Sequence, residues 1–187
     1  MKRLTLFFAF FMLPINSYPG VLTLGPGMGL ERVNDTFNVD LYMIKGLYRF
    51  DNGITVGGVV QHGYIDFQQI ADEKRYEAII GYTSVLPNSK FSPYAFISKG
   101  LRSYSSSQSS VNYYTATIGS KYKITNTFYL DNSYRYRNTN DINWESNLYS
   151  LGLGRILTNN FSVQVNFGTT WGDYKSDQYS IALLHRF

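Results

Sequence analysis

From Pro19 onward the chain repeats one theme: a run of alternating apolar and polar residues, then a turn or a polar loop. Successive side chains on a strand point to opposite faces, so each run reads as a strand with one apolar and one polar side. Ten runs can be marked, over 20–31, 37–50, 54–65, 74–86, 91–103, 112–124, 127–138, 145–157, 160–171 and 177–187. Each is long enough to cross a bilayer at a tilt, which takes ~9–11 residues. No segment keeps a helical apolar period of useful length. A train of such segments can bury its apolar faces in a soluble sandwich or against lipid as a closed barrel.

Composition separates the two. The 187 residues include 17 Tyr, 13 Phe and no Cys, and only 16% are charged. Many aromatics with few charges fit a lipid-facing band between aromatic girdles. The mean hydropathy is −0.21. A helical membrane protein needs ~20 nearly continuous apolar residues per span, and no such run follows the first fifteen residues. The expected fold is therefore all-β, a single antiparallel transmembrane barrel whose polar lumen dilutes the hydropathy.

The connections support an even strand count. Asp51-Asn52-Gly53, Pro87-Asn88-Ser89-Lys90, Thr125-Asn126 and Thr158-Asn159 carry tight-turn chemistry. Between them lie looser stretches: 34–36, 66–73, 104–111, 139–144 and 172–176. Short turns at one end and longer loops at the other are expected, with both termini on the short-turn, periplasmic side. Segments 37–50 and 91–103 have no clean face, so eight strands remain an alternative. Twelve would leave strands too short to cross.

Faces can be assigned where the alternation is clean. In 161–171, Phe161, Val163, Val165, Phe167 and Trp171 oppose Ser162, Gln164, Asn166, Gly168 and Thr170. In 127–138, Phe128, Leu130, Tyr134 and Tyr136 oppose Tyr129, Asp131, Ser133, Arg135 and Arg137. In 113–124, Tyr114, Ala116, Ile118 and Tyr122 oppose Thr115, Thr117, Lys121 and Lys123. A charge at the lipid midplane costs ~2–4 kcal/mol in a barrel, which assigns the Lys and Arg faces to the lumen. Lys121, Lys123, Arg135, Arg137 and Arg102 are thus candidate lumen residues on a solute pathway. The competing expectation is that they pair with Glu77, Asp131 and Glu145 and plug the barrel.

The N-terminus reads as an export signal. Lys2 and Arg3 precede the apolar run Leu4 to Leu13, Pro14 breaks it, and Ser17 is a small residue at a cleavage position. Residues 1–17 are expected to be removed, leaving 18–187 as the barrel. The formal charge of +4 then falls to +2, with no basic run, so no nucleic-acid partner is expected.

The last segment places Tyr179, Ile181, Leu183, His185 and Phe187 on one face. A terminal Phe preceded by alternating apolar residues resembles the C-terminal assembly signal of Gram-negative outer-membrane proteins. His185 departs from the aromatic or apolar residue usual at its position. The resemblance implies periplasmic chaperones, insertion by the barrel assembly machinery, and an outer-membrane setting with lipid and lipopolysaccharide around the wall. Tyr134-Arg135-Tyr136-Arg137, with its basic inner and Tyr outer face, resembles the small monomeric porins specific for acidic oligosaccharides. Those have twelve strands and longer chains.

By parity with Ile54, Val56 and Val60, His62 faces lipid near one interface. Outer-membrane lipid A deacylases place a His and a nearby Ser on such a face, but no Ser follows His62 at a matching spacing. No counterpart of the Asp-rich cleft of outer-membrane proteases is present. A lone His there is more often a belt residue. Gly25 to Gly29 leads into no helix and no Lys-Ser/Thr pair, so it is no phosphate loop. Without Cys or a His/Asp/Glu cluster, no metal or cofactor is expected. The leading expectation is a non-enzymatic, monomeric, narrow porin-like channel for small solutes, anions favoured by the basic lumen. The alternatives are a non-conducting barrel acting in structure, adhesion or surface interaction through 104–111, and a lipid- or peptide-modifying enzyme built on His62.

Overall fold

A computed structural model describes residues 20–65, 71–84, 89–105, 110–139 and 144–187. The proposed signal at 1–17 lies outside these residues. The described chain is all β: β1 (Gly20–Val33), β2 (Phe37–Phe50), β3 (Ile54–Ile65), β4 (Ala71–Thr83), β5 (Phe91–Tyr104), β6 (Ser110–Lys123), β7 (Phe128–Thr139), β8 (Trp144–Ile156), β9 (Phe161–Gly172) and β10 (Ser176–Arg186). Each strand pairs antiparallel with its neighbours in sequence, and β1 pairs with β10 to close the barrel.

The register sets the geometry of the closure. Following paired residues once round the wall, Val21 leads to Arg49, Thr55, Gly81, Phe96 and Thr117. The path continues through Arg135, Leu148, Thr170 and Ser176, and returns to β1 at Val33, twelve residues from its start. Ten strands with that offset tilt by ~40° to the axis. At ~3.3 Å per residue the wall stands roughly 27–34 Å tall, matching a bilayer.

Alternation sorts the side chains as expected. Outward-facing Ile44, Ile80, Ile97, Ile118, Leu151, Val165 and Ile181 are exposed around the middle of the wall. Tyr48, Tyr82, Tyr122, Phe128 and Phe161 ring the end that carries both termini, here the terminal end. Tyr42, Tyr64, Tyr76, Tyr114 and Trp171 ring the far end. β2, ambiguous in sequence, points Leu41, Met43, Lys45 and Leu47 into the lumen. Leu41, Met43 and Leu47 make the interior largely apolar here between Lys45 and Arg49, which is why neither face of β2 looks cleanly polar.

Turn chemistry is where the sequence puts it. Asn34 and Asp35 take φ of 48° and 55° in the β1–β2 connection, the left-handed region these residues tolerate best. Gly53 has φ 89°, and its N–H donates to the Phe50 carbonyl at 2.9 Å.

The expected contrast in loop length is absent. The far-end connections span 34–36, 66–70, 105–109, 140–143 and 173–175, while the longest connection, 84–90, lies at the terminal end. The charged residues after Ala71 belong to β4 rather than to a loop, because Glu73 is taken into the lumen. Likewise β5 and β6 extend to Tyr104 and back to Ser110, leaving a short link where a surface loop was expected.

Candidate functional site: the lumen

The lumen face of the strands carries nine cationic side chains, Lys45, Arg49, Arg75, Arg102, Lys121, Lys123, Arg135, Arg137 and Arg186. Against these stand four carboxylates, Glu31, Glu73, Glu77 and Asp131. They are arranged in three layers.

At the far end, four charges form a buried cluster. Arg75 Nη2 lies 3.5 Å from Glu31, and its Nε donates to Glu73. Glu73 also receives Arg102 Nη2 at 2.5 Å. Ser176 Oγ and Gln178 Nε2 donate to Glu31 at 2.8 and 3.0 Å. Glu31 and Glu73 are each 1% exposed and Arg75 is 5% exposed. Buried charges are tolerated when paired and hydrogen-bonded, and here two carboxylates balance two guanidinium groups. Arg102 also lies over the Tyr104 and Trp144 rings. Beside the cluster, Val39 and Leu41 are buried on the β2 wall.

Below the cluster lies a cavity of about 540 Å³, bounded on the far side by Arg75, Tyr113 and Arg137. Lys45 on β2 and Arg135 on β7 line it. With five strand steps between them in a ring of ten, they face each other across the lumen. Neither has a carboxylate within ion-pair distance among the described residues. Arg137 is 5% exposed, lies 4.8 Å above the Tyr113 ring, and its Nε has no hydrogen-bond partner among the described residues. Glu77 is held by Ser98 Oγ at 2.7 Å and by the Tyr113 hydroxyl at 3.1 Å.

The third layer opens to the terminal end. Asp131 accepts from the Tyr94 hydroxyl at 2.7 Å and from Gln164 at 3.4 Å. Lys121 lies 3.5 Å from the same carboxylate. Arg49, Arg186 and Lys123 stand at this mouth without a carboxylate partner among the described residues.

Three tyrosines narrow the lumen by one device. Tyr94, Tyr113 and Tyr129 sit directly opposite Gly119, Gly100 and Gly154 on the neighbouring strand. A Cβ at any of these glycines would collide with the ring lying over it. The glycines let the rings lie flat against the wall and carry their hydroxyls to Asp131, Glu77 and Gln164.

Of the residues expected in the lumen, Arg135 and Arg137 border the cavity and Lys121 is paired with Asp131. Lys123 ends β6 at the terminal rim, and Arg102 is bound into the far cluster. Glu145 is not available as a lumen counterion, since its parity on β8 turns it outward, where it accepts from Asn138 at 3.1 Å. On the outer wall, His62 Nε2 lies 3.6 Å from Asp72, and its ring packs at 4.4 Å on Tyr64. Among the described residues no serine hydroxyl bonds that ring. Along β10, Tyr179, Ile181 and Leu183 face outward in turn from the far end, with Phe187 at the terminal end. His185 sits between Phe161 and Phe187, with centroids 4.3 and 4.1 Å away. It thus fills an aromatic slot of the girdle. The Phe187 N–H donates to the Leu22 carbonyl at 2.9 Å, extending the β1–β10 seam.

No family model matches the sequence, and no curated protein matches it. Solved structures do. The chain is similar to the β domain of the Bordetella autotransporter BrkA at 9% identity and TM-score 0.58, covering 90% of this chain and 100% of that one. It is similar to an outer-membrane channel of Pseudomonas putida F1 at 11% identity and TM-score 0.52, covering 94% and 97%. The chain shares the closed antiparallel barrel fold of these outer-membrane proteins. The KdgM porin is also similar, at 16% identity and TM-score 0.49 over 87% of this chain and 99% of that one. At such identities these proteins share the barrel, and the lumen chemistry has to be read from this chain's own residues.

Sequence reading missed Lys45, Glu31, Glu73 and Arg75. Lys45 lay on a strand with no clean face. Glu73 and Arg75 stood at a boundary that looked like loop. A run of consecutive charges at a strand end, as in Asp72-Glu73-Lys74-Arg75, puts every second one on the lumen face and is the signal that a lumen network continues there.

Proposed function

We propose that this barrel is a narrow, monomeric channel of the outer membrane that favours small anionic solutes, with its termini in the periplasm. The observation that carries the reading is the set of lumen cations without a carboxylate among the described residues, led by Lys45 facing Arg135. Unpaired cations along a pore raise the local concentration of anions. The basic terminal mouth admits them, and the far cluster is the barrier they must pass. Export would remove residues 1–17, periplasmic chaperones would carry the chain, and the assembly machinery would insert it through the strand ending at Phe187. A second reading, a closed structural barrel, is favoured by the depth at which Glu31 and Glu73 are buried. Adhesion gains little from far-end connections this short.

Single-channel recording of the refolded barrel in a planar bilayer under a salt gradient tests this. Discrete steps with a reversal potential on the anion side are expected, moving toward zero in the Lys45→Ser, Arg135→Ser double variant. A folded barrel that gives no steps, in both the parent and a Glu31→Gln, Glu73→Gln variant, overturns the channel reading.

A further inference from the structure

The outer wall carries a groove of about 620 Å³ across β4 to β7. It is built from two adjacent rows of paired residues. One row runs Ala78, Lys99, Tyr114, Asn138, and the other Ile80, Ile97, Ala116, Tyr136. Ala78 and Ala116 are too small to fill the wall, so the larger neighbours stand as its sides. With a twelve-residue offset over ten strands, a row perpendicular to the strands climbs ~3 Å toward the far rim at each strand. The groove is therefore oblique. Its deep end, at Ile80, Ala78 and Ile97, is apolar, and its upper end, at Tyr136 and Asn138, is polar.

Lys99 lies between the two ends. It is exposed, its Nζ is 5.6 Å from the Tyr114 ring centre, and no carboxylate among the described residues lies within ion-pair distance. The Asn138 amide donates to the Tyr136 hydroxyl oxygen at 3.4 Å, which leaves the phenolic proton for an outside acceptor. An ammonium and a hydroxyl proton above an apolar trough match an amphiphile with an anionic phosphate head and acyl chains pointing to the midplane.

We propose that this groove seats a phosphate-bearing saccharolipid of the outer leaflet, its phosphate on Lys99 and Tyr136 and one acyl chain over Ala78 and Ile97. The choice of leaflet rests on the proposed orientation, with the far rim outside; the groove and its charge do not. A lysine that merely snorkels to the interface needs no groove, and this separates the two accounts.

Native mass spectrometry of the refolded barrel in uncharged detergent, titrated with diphosphoryl lipid A, reads the site. The expected result is a single retained lipid, bound about tenfold more weakly by Lys99→Gln, as for loss of one charge-assisted contact. Ala116→Phe, which fills the floor and keeps the charge, should weaken it similarly. Arg155→Gln, an outward cation at the opposite rim, should leave it unchanged. Heat-modifiable gel mobility confirms that each variant is folded. Unchanged affinity in Lys99→Gln overturns the site. Loss with Lys99→Gln but not with Ala116→Phe leaves only a snorkelling lysine, and equal retention of phosphatidylglycerol overturns the saccharolipid. A protease tag placed in the 105–109 connection and found shielded on intact cells would overturn the orientation, while lipid binding in detergent would stand.

Discussion

The two ends of the lumen treat charge in opposite ways. At the far end Glu31, Glu73, Arg75 and Arg102 are paired, hydrogen-bonded and largely withdrawn from water. At the terminal end the Lys121 side chain is 47% exposed and shares one carboxylate, while Arg49, Arg186 and Lys123 have none among the described residues. The difference follows from solvation. A charge removed from water costs several kcal/mol unless a partner replaces the hydration, whereas a wet cation needs no partner. Paired charge can therefore act as a packed structural layer, and only unpaired charge can act on a passing solute. One barrel interior does both by grading its access to water.

Removing Glu73 should break the comparison most severely. Glu73→Ala leaves Arg75 and Arg102 buried without their shared carboxylate, and truncating one partner of such a pair costs ~3–5 kcal/mol. A matching fall in the urea midpoint of the barrel refolded in lipid vesicles is expected. A loss below about 1 kcal/mol would mean that the far layer is as wet as the terminal one.

A smaller effect is expected at the layer between. Gly100→Ala pushes the Tyr113 ring off the wall and away from Glu77, an overpacking cost of ~1–3 kcal/mol. Adding Gly100→Ala to Tyr113→Ala should then cost little more than Tyr113→Ala alone, and an additive pair would show that the ring and the glycine are independent.

The smallest belongs to the terminal mouth. Lys121→Met removes a half-exposed ion pair, worth at most about 0.5 kcal/mol once lumen water screens it. The unfolding midpoint should barely move, and a shift as large as that of Glu73→Ala would erase the distinction between the two ends.

Much of this arrangement is legible in the sequence. Strands with one clean face, such as 161–171 and 127–138, gave their lumen sides by parity alone. β2 did not, because Leu41, Met43 and Leu47 make the lumen largely apolar there between Lys45 and Arg49. Glu145 could be assigned to the wrong side because no clean alternation flanks it. The far cluster was out of reach for a different reason. Arg75 meets Glu31 across two intervening strands, a contact decided by the offset at closure. That offset is a property of the whole ring and leaves no mark on any one segment.

The seam between β1 and β10 gives the chain an unusual dependence on its two ends. It joins Val33 to Ser176 and Leu24 to His185, so the pairing farthest apart along the chain is also the one that completes the wall. Deleting β10 would not yield a nine-stranded barrel. It would expose two rows of backbone N–H and C=O groups to hydrocarbon, where each unmet group costs several kcal/mol. Forms with this seam open are thus penalised by hydrocarbon itself, which couples closure of the wall to its burial in a bilayer.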